Sequence, residues 1–345
     1  MAETRLTLNR IVLNNKLERS LFNKENKENN LKRFKNISLI YECDHATLER
    51  AALLAKENHA RLTIVHVIKE LPSSLQHVYV DDQPMDLTKL IMDDLQERLA
   101  KIANSARSFG VRPKTLLLEG QPVVEIVRDV VENHRDLVII TVDKKPGWKE
   151  FFFGNAVSAM MRNCPCPLLA LKPTEHKGFK KILVAIDPVL VGDAHDTLNN
   201  VILELASSLA ELENAELHVV HAWRLMGESM MRGRFAIPSA DVDRAVLHEF
   251  GRHRKLLEDA IEKYSIPTEH VHLPKADPVQ AITSLVNELD VDLLVMGTVC
   301  RTGIPGLLIG NTAEQVLSAV ECSTLTVKPE GFVSPIVSKT PSTHG

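Results

Sequence analysis

Aromatic side chains are scarce in this chain, with Phe, Tyr and Trp making up 4% of its 345 residues. The apolar load, 44% of the sequence, therefore falls mainly on Leu, Val, Ile and Ala. That is the composition of helices packed on a parallel sheet, and it argues against an all-β architecture. Cysteines are few and unpaired in sequence: Cys43, Cys164, Cys166, Cys300 and Cys322 form no CxxC motif. Their odd number excludes a complete secreted disulfide framework and points to a reducing compartment. No apolar run approaches the roughly 18 residues that a membrane-spanning helix needs, and the first thirty residues carry no continuous apolar stretch of the secretory type. A cytoplasmic protein without a transmembrane segment is expected. A single-sign charge excess is also missing, since the net charge is −4 with both signs interspersed. Nucleic acid is not an expected partner.

The chain is long enough for two cores of ordinary domain size. Residues 1–33 stand apart: they hold eight Lys or Arg, four Glu and a repeated Lys-Glu-Asn between Asn23 and Asn30. This segment reads as a flexible extension, with an amphipathic helix through Leu6, Ile11, Val12, Leu17 and Leu21 as the alternative.

From Phe34 onward the sequence repeats. Gly154 to Pro173 overlays Gly310 to Pro329 without a gap, and the same offset matches Pro122 with Pro278, Ile126 with Ile282 and Asp136-Leu137 with Asp292-Leu293. Nearer the start of each copy, FKNISLIYEC at Phe34 matches FKKILVAIDP at Phe179, and LTIVHV at Leu62 matches LHVVHAW at Leu217, which sets His66 over His221. The offset changes between these blocks, so the copies differ by insertions in loops. Two domains are expected over 34–173 and 179–330, followed by a flexible tail over 331–345. In the second copy short apolar strands (KILVAI, ELHVVHA, EHVHL, DLLVMG, STLTVKP) alternate with amphipathic helices over 193–212, 240–264, 278–289 and 312–319. Such alternation predicts an α/β fold of two tandem Rossmann-like domains, each a mostly parallel five-stranded sheet flanked by helices.

In such sheets ligands sit beyond the carboxyl ends of the strands, and anions gather at helix N-termini. Copy two has Asp187 after its first strand and the run MGTVCRTGIPGLLIGNT after its fourth. Gly297, Cys300, Gly310 and Asn311 stand at the spacing Gly-x2-Gly-x9-Gly-Ser/Thr, with cysteine in place of the second glycine and asparagine in place of the hydroxyl residue. Thr312 supplies the nearest hydroxyl. On these residues the chain from Phe34 to Pro329 resembles the universal stress protein family, whose signature loop binds ATP. The resemblance implies an adenine-nucleotide-hydrolase-like fold, ATP with its magnesium in copy two, and contact of Asp187 with the adenine base. Copy one holds Thr141, Lys144, Gly154 and Asn155 at the loop positions and Glu42 where copy two has Asp187. Its added Cβ atoms crowd a phosphate, so no nucleotide is expected there.

Each of these residues also has a purely structural reading. Asp187 serves equally as a turn residue before Pro188, and Gly310-Asn311 as a ligand-free helix cap. Cys300 reads as an inert small side chain, and His66 and His221 as core histidines. His248 and His253 are five apart, roughly 140° around a helix, which is no zinc pair. Cys164 and Cys166 lead into a strand, and no metal site is expected. No Ser-His-Asp pattern, P-loop or nucleophile elbow is present, so no catalytic residue is assigned. The leading expectation is a stress-response protein that binds a small ligand, ATP at copy two, and modulates unidentified protein partners. The alternatives are a scaffold or carrier of an apolar ligand, using Phe151, Phe152, Phe153, Met230 and Met231, and a weak ATPase. The strands PLLALKP and STLTVKP are expected to pair as an internal pseudo-dimer, with further homodimerisation optional.

Overall fold

The computed structural model describes residues 34–41, 45–69, 77–80, 83–142, 156–172, 178–189, 193–235, 237–298 and 310–338. The strands are β1 (Asn36–Ile40), β2 (Arg61–Ile68), β3 (His77–Val80), β4 (Gln83–Asp86), β5 (Lys114–Glu119), β6 (Leu137–Thr141), β7 (Leu168–Leu171), β8 (Lys181–Ala185), β9 (Glu216–Val220), β10 (Val271–His272), β11 (Leu293–Gly297) and β12 (Ser323–Val327). Ten of them form one sheet in the order β10-β9-β8-β11-β12-β7-β6-β1-β2-β5, while β3 and β4 form a separate hairpin. All neighbours in the large sheet run parallel except one pair. That exception is β12 with β7, antiparallel, with Leu325 opposite Leu169. The two copies are thus two parallel five-stranded half-sheets fused through their last strands, as the pairing of PLLALKP with STLTVKP anticipates.

Local chemistry explains why each half starts where it does. Asp136 accepts the backbone N–H groups of Lys35 and Asn36 at 2.7 and 2.9 Å. Asp292 does the same for Lys180 and Lys181 at 2.8 Å each. The matched Asp-Leu pair of the repeat therefore ties the first strand of each copy to the fourth. Before β11, the helix Pro278–Leu289 begins with proline, whose missing N–H costs nothing there, and with Asp277 accepting from the Val279 N–H at 3.0 Å.

Apolar side chains leave both faces of the sheet, and each face builds a core that runs through both copies. One lies under the helices His45–Glu57 and Asp193–Glu213 and includes Ile37, Ile139, Ile182, Leu293, Leu169 and Leu325. The other lies under Pro122–Glu132, Ala156–Asn163, Pro278–Leu289 and Asn311–Ala319 and includes Val138, Leu168, Leu183, Leu294 and Val316. Further polar ties cross the junction: Arg162 pairs with Glu314, Arg50 with Glu213, and the Lys172 ammonium donates to the Val320 carbonyl at 2.6 Å.

Two elements differ from the sequence reading. The segment EHVHL forms a strand only over Val271–His272, preceded by a 3-10 turn at Thr268–His270. As the outermost strand, β10 has a single partner, so little pairing is available to extend it. The predicted 240–264 helix spans Ser239–Ile261. The N-terminal extension and the residues after 338 lie outside the described residues.

Candidate functional site

The chain order along the second half-sheet reverses between β8 and β11, and the crevice beyond their carboxyl ends is where a doubly wound fold places a ligand. Asp187 lies at that end, two residues past β8, with its side chain 29% exposed. A reciprocal pair holds its backbone: the Asn199 side-chain amide donates to the Asp187 carbonyl at 3.0 Å and accepts from the Asp187 N–H at 3.4 Å. The Asp187 carboxylate accepts the Val189 N–H at 3.3 Å. The turn role foreseen for Asp187 is thus present, and its carboxylate remains partly exposed.

From β11 the chain enters the signature loop at Gly297 and Thr298. A Cβ on Gly297 would lie 2.8 Å from Leu198 Cδ2 and 3.3 Å from Ile202 Cδ1. Close packing of the Asp193–Glu213 helix on the strand therefore accounts for this glycine. Copy one places Thr141 at the matched strand end. The loop returns at Gly310, whose N–H donates to the Thr298 carbonyl at 3.2 Å, while the Thr298 N–H reaches the Val327 carbonyl at 3.2 Å. Thr298 is fully buried, and its hydroxyl has no hydrogen-bond partner. Gly310 then caps the helix Asn311–Ala319 in an extended conformation, φ −71° and ψ 142°, with no side-chain cap bond. Asn311 is exposed and Thr312 half-buried. Unlike the helix that starts at Pro278, this one has no side-chain acceptor on its first N–H groups among the described residues, and it starts beyond the carboxyl end of β11. Cys300 and the phenylalanines 151, 152 and 153 lie outside the described residues.

Behind Asp187 runs a row of histidines that the spacing of residues could not reveal. His221, at the end of β9, is 3% exposed; its Nδ1 is 3.3 Å from the Ile186 carbonyl and 3.9 Å from an Asp187 carboxylate oxygen. Its Nε2 meets His253 Nδ1 at 2.7 Å, and His253 Nε2 meets Glu249 at 3.1 Å. Trp223 packs on His253 and on Phe250 with ring centroids 5.6 Å apart in each case. Histidine 221 is a buried, bonded core residue, as expected; His66 is only half-buried, against the edge of Tyr41. Within the helix Ser239–Ile261, His253 is buried and His248 exposed, as the helical angle between them requires.

Three contacts in this row need three hydrogens, and two neutral imidazoles supply two. Burial nevertheless holds the pKa of His253 below its ordinary value, and the Arg252 guanidinium lowers it further, while Glu249 and Asp187 pull the other way. A histidine depressed in the fold takes up protons more readily when unfolded. Its stabilising contribution is thus complete above the unfolded value near 6.5 and is lost as pH falls from there toward the folded value. The urea midpoint should accordingly be lower at pH 5 than at pH 7, and His253→Phe should reduce that slope. An unchanged slope would show that His253 does not titrate in this window.

The universal stress protein family model matches residues 40–172 and 178–328, one match per copy. The chain belongs to the universal stress protein family. As a tandem member, it is similar to a universal stress protein E homolog from Haemophilus influenzae, 25% identical over 86% of this chain and 98% of that one. It is also similar to universal stress protein E of Escherichia coli K12, 28% identical over 73% of this chain and 81% of that one. Among solved structures, a functionally unknown protein from Pseudomonas aeruginosa PAO1 superposes with a TM-score of 0.63 at 25% identity, covering 86% of this chain and 93% of the other. A universal stress protein from Archaeoglobus fulgidus, at TM-score 0.60 and 17% identity, shares the tandem fold over 86% of this chain and 97% of its own.

Proposed function

We propose that this tandem universal stress protein acts in the stress response by binding a nucleotide, ATP with magnesium, in the crevice of its second copy and altering its protein partners accordingly. The observation that carries this reading is the N-terminus of the helix Asn311–Ala319, without a side-chain cap among the described residues, pinned beside the end of β11 and across the strand-order reversal from Asp187. Free N–H groups there suit phosphate oxygens, and the Asp187 carboxylate suits the donor edge of a base or a ribose hydroxyl. We read the protein as a binder, not an enzyme: the Asp187 carboxylate already accepts from the turn and borders His221, so it is held in place more than it is poised as a base. Calorimetry of the full chain with magnesium ATP is expected to yield saturable micromolar binding. Asp187→Ala and Gly310→Val should each weaken it about tenfold, the equivalent of about 1.4 kcal/mol. Absence of saturable heat with the native chain would overturn the reading.

A second reading, a carrier of an apolar molecule, is favoured by one surface. Met226, Met230, Phe235 and Leu247 are exposed on or beside the helices Glu228–Gly233 and Ser239–Ile261, which the ion pair of Arg232 with Asp243 ties together. Met231, the other methionine singled out in this segment, is half-buried.

A further inference from the structure

At the outer edge of the second half-sheet, away from the crevice, β9, β10 and the 3-10 turn that precedes β10 bring three histidines and a glutamate together. Residues two apart on a strand share a face, so Glu216 and His218 on β9 project together; His270, the last residue of the 3-10 turn, and His272 on β10 flank Val271. Pairing of Val271 with Val219 sets His270 beside His218. A side-chain ligand atom from each of Glu216, His218 and His270 lies within 4.8 Å of the other two. His218 is 5% exposed. Its Nδ1 is 3.1 Å from His272 Nε2, whereas its Nε2 is buried with no hydrogen-bond partner, 3.7 Å from the Glu216 carboxylate. The His218 and His270 rings stand 4.1 Å apart between centroids.

We infer that Glu216, His218 and His270 form a binding site for a divalent transition-metal ion of the zinc class, with His272 orienting the His218 ring. When His218 Nδ1–H donates to His272 Nε2, the lone pair of His218 lies on Nε2, the atom 3.7 Å from the Glu216 carboxylate. This is the arrangement by which ligating histidines are held: the distal nitrogen is hydrogen-bonded and the proximal one is left for the metal. Two imidazoles and one carboxylate with an open fourth position suit zinc, and imidazole equally suits nickel, cobalt or copper. Bonds of 2.0–2.1 Å in a tetrahedron put ligand atoms roughly 3.3 Å apart, so the site must close slightly on binding. The exposed Glu216 side chain is free to rotate inward, and half-buried His270 leaves a path from solvent.

Copy one is an internal control. The same positions of its edge strands hold Arg61, Thr63, Lys114 and Leu116, with Thr63 paired to Lys114 in the sheet. The strand pair folds without any histidine there, and copy one presents cations where copy two presents ligands. The ligands come from β9 and from the turn before β10, more than fifty residues apart, so no contiguous spacing in the sequence marks the site.

The test is calorimetric titration of the chelator-stripped full chain with zinc chloride in a non-coordinating buffer, paired with a thermal-shift measurement. One equivalent is expected to bind with micromolar or tighter affinity and to raise the melting temperature. His270→Ala, at a half-buried position, and His218→Gln should each lower affinity by about tenfold or more, and His272→Phe by a similar factor through loss of the orienting bond. Exposed His248→Ala should leave binding intact. The inference is overturned if the native chain shows no saturable zinc binding, or if His270→Ala weakens it no more than His248→Ala does. Nucleotide binding is read in a separate titration, so either result stands without the other.

Discussion

Replacing Asp129 by alanine should destabilise the protein by about 3–5 kcal/mol, the cost of leaving a buried cation without its partner. Asp129 is 3% exposed and takes both forks of Arg135, at 3.0 and 3.1 Å. The Arg135 guanidinium goes on to donate to Asn36 Oδ1 at 3.0 Å and Thr63 Oγ1 at 2.7 Å, and Asn133 donates to Asp129 at 2.8 Å. One carboxylate thereby ties the helix Pro122–Glu132 to β1 and β2. The repeat shows that the fold does not require it: the matched positions in copy two are Leu285 and Val291, both packed in the core on that face. The double change Asp129→Leu with Arg135→Val should therefore recover most of the loss, since well-packed apolar residues commonly replace a buried pair at little cost. Urea denaturation of the three chains measures both effects. If the double variant is as unstable as Asp129→Ala, the bonds to Asn36, Asn133 and Thr63 matter more than the removal of a lone charge.

Leu325→Ala should cost about 2–5 kcal/mol, the range for truncating a well-packed buried leucine. Leu325 is 1% exposed and sits opposite Leu169, also 1% exposed, in the one antiparallel pairing of the large sheet. Because the core on that face is continuous across both copies, the loss should lower the unfolding transition of the whole chain and not of copy two alone. Cys164 in copy one and Cys322 in copy two are both buried and free, so thiol labelling under increasing urea reports each half separately. Both cysteines should become reactive over the same denaturant range, and Leu325→Ala should move both together. A shift confined to Cys322 would mean that the halves unfold independently despite their shared sheet.

The proposed nucleotide crevice and metal cluster lie toward opposite ends of β9. The crevice row begins at His221, immediately after β9, whereas Glu216 and His218 lie in the first three residues of the same strand. Copy two therefore concentrates polar chemistry along one strand, where copy one has Arg61, Thr63 and a half-buried His66.

The sequence alone determined the alternation of strands and helices, the two copies, the place of Asp187 after the first strand of copy two, and the positions of Gly297, Cys300, Gly310 and Asn311 at the signature spacing. These follow from short-range periodicity and from a repeat whose register survives in strands while loops drift. It also placed the aspartates 136 and 292, whose matched positions became matched hydrogen bonds to the first strand of each copy. Tertiary structure alone decided which distant residues meet. It assigned Gly297 to close helix packing, set Asn199 behind Asp187, and drew His221, His253 and Glu249 into one row and Glu216, His218 and His270 into another. Strand order and crossover helices bring such groups together from separated segments, and no local pattern of residue types encodes a contact whose partner's identity depends on how the whole sheet is wound.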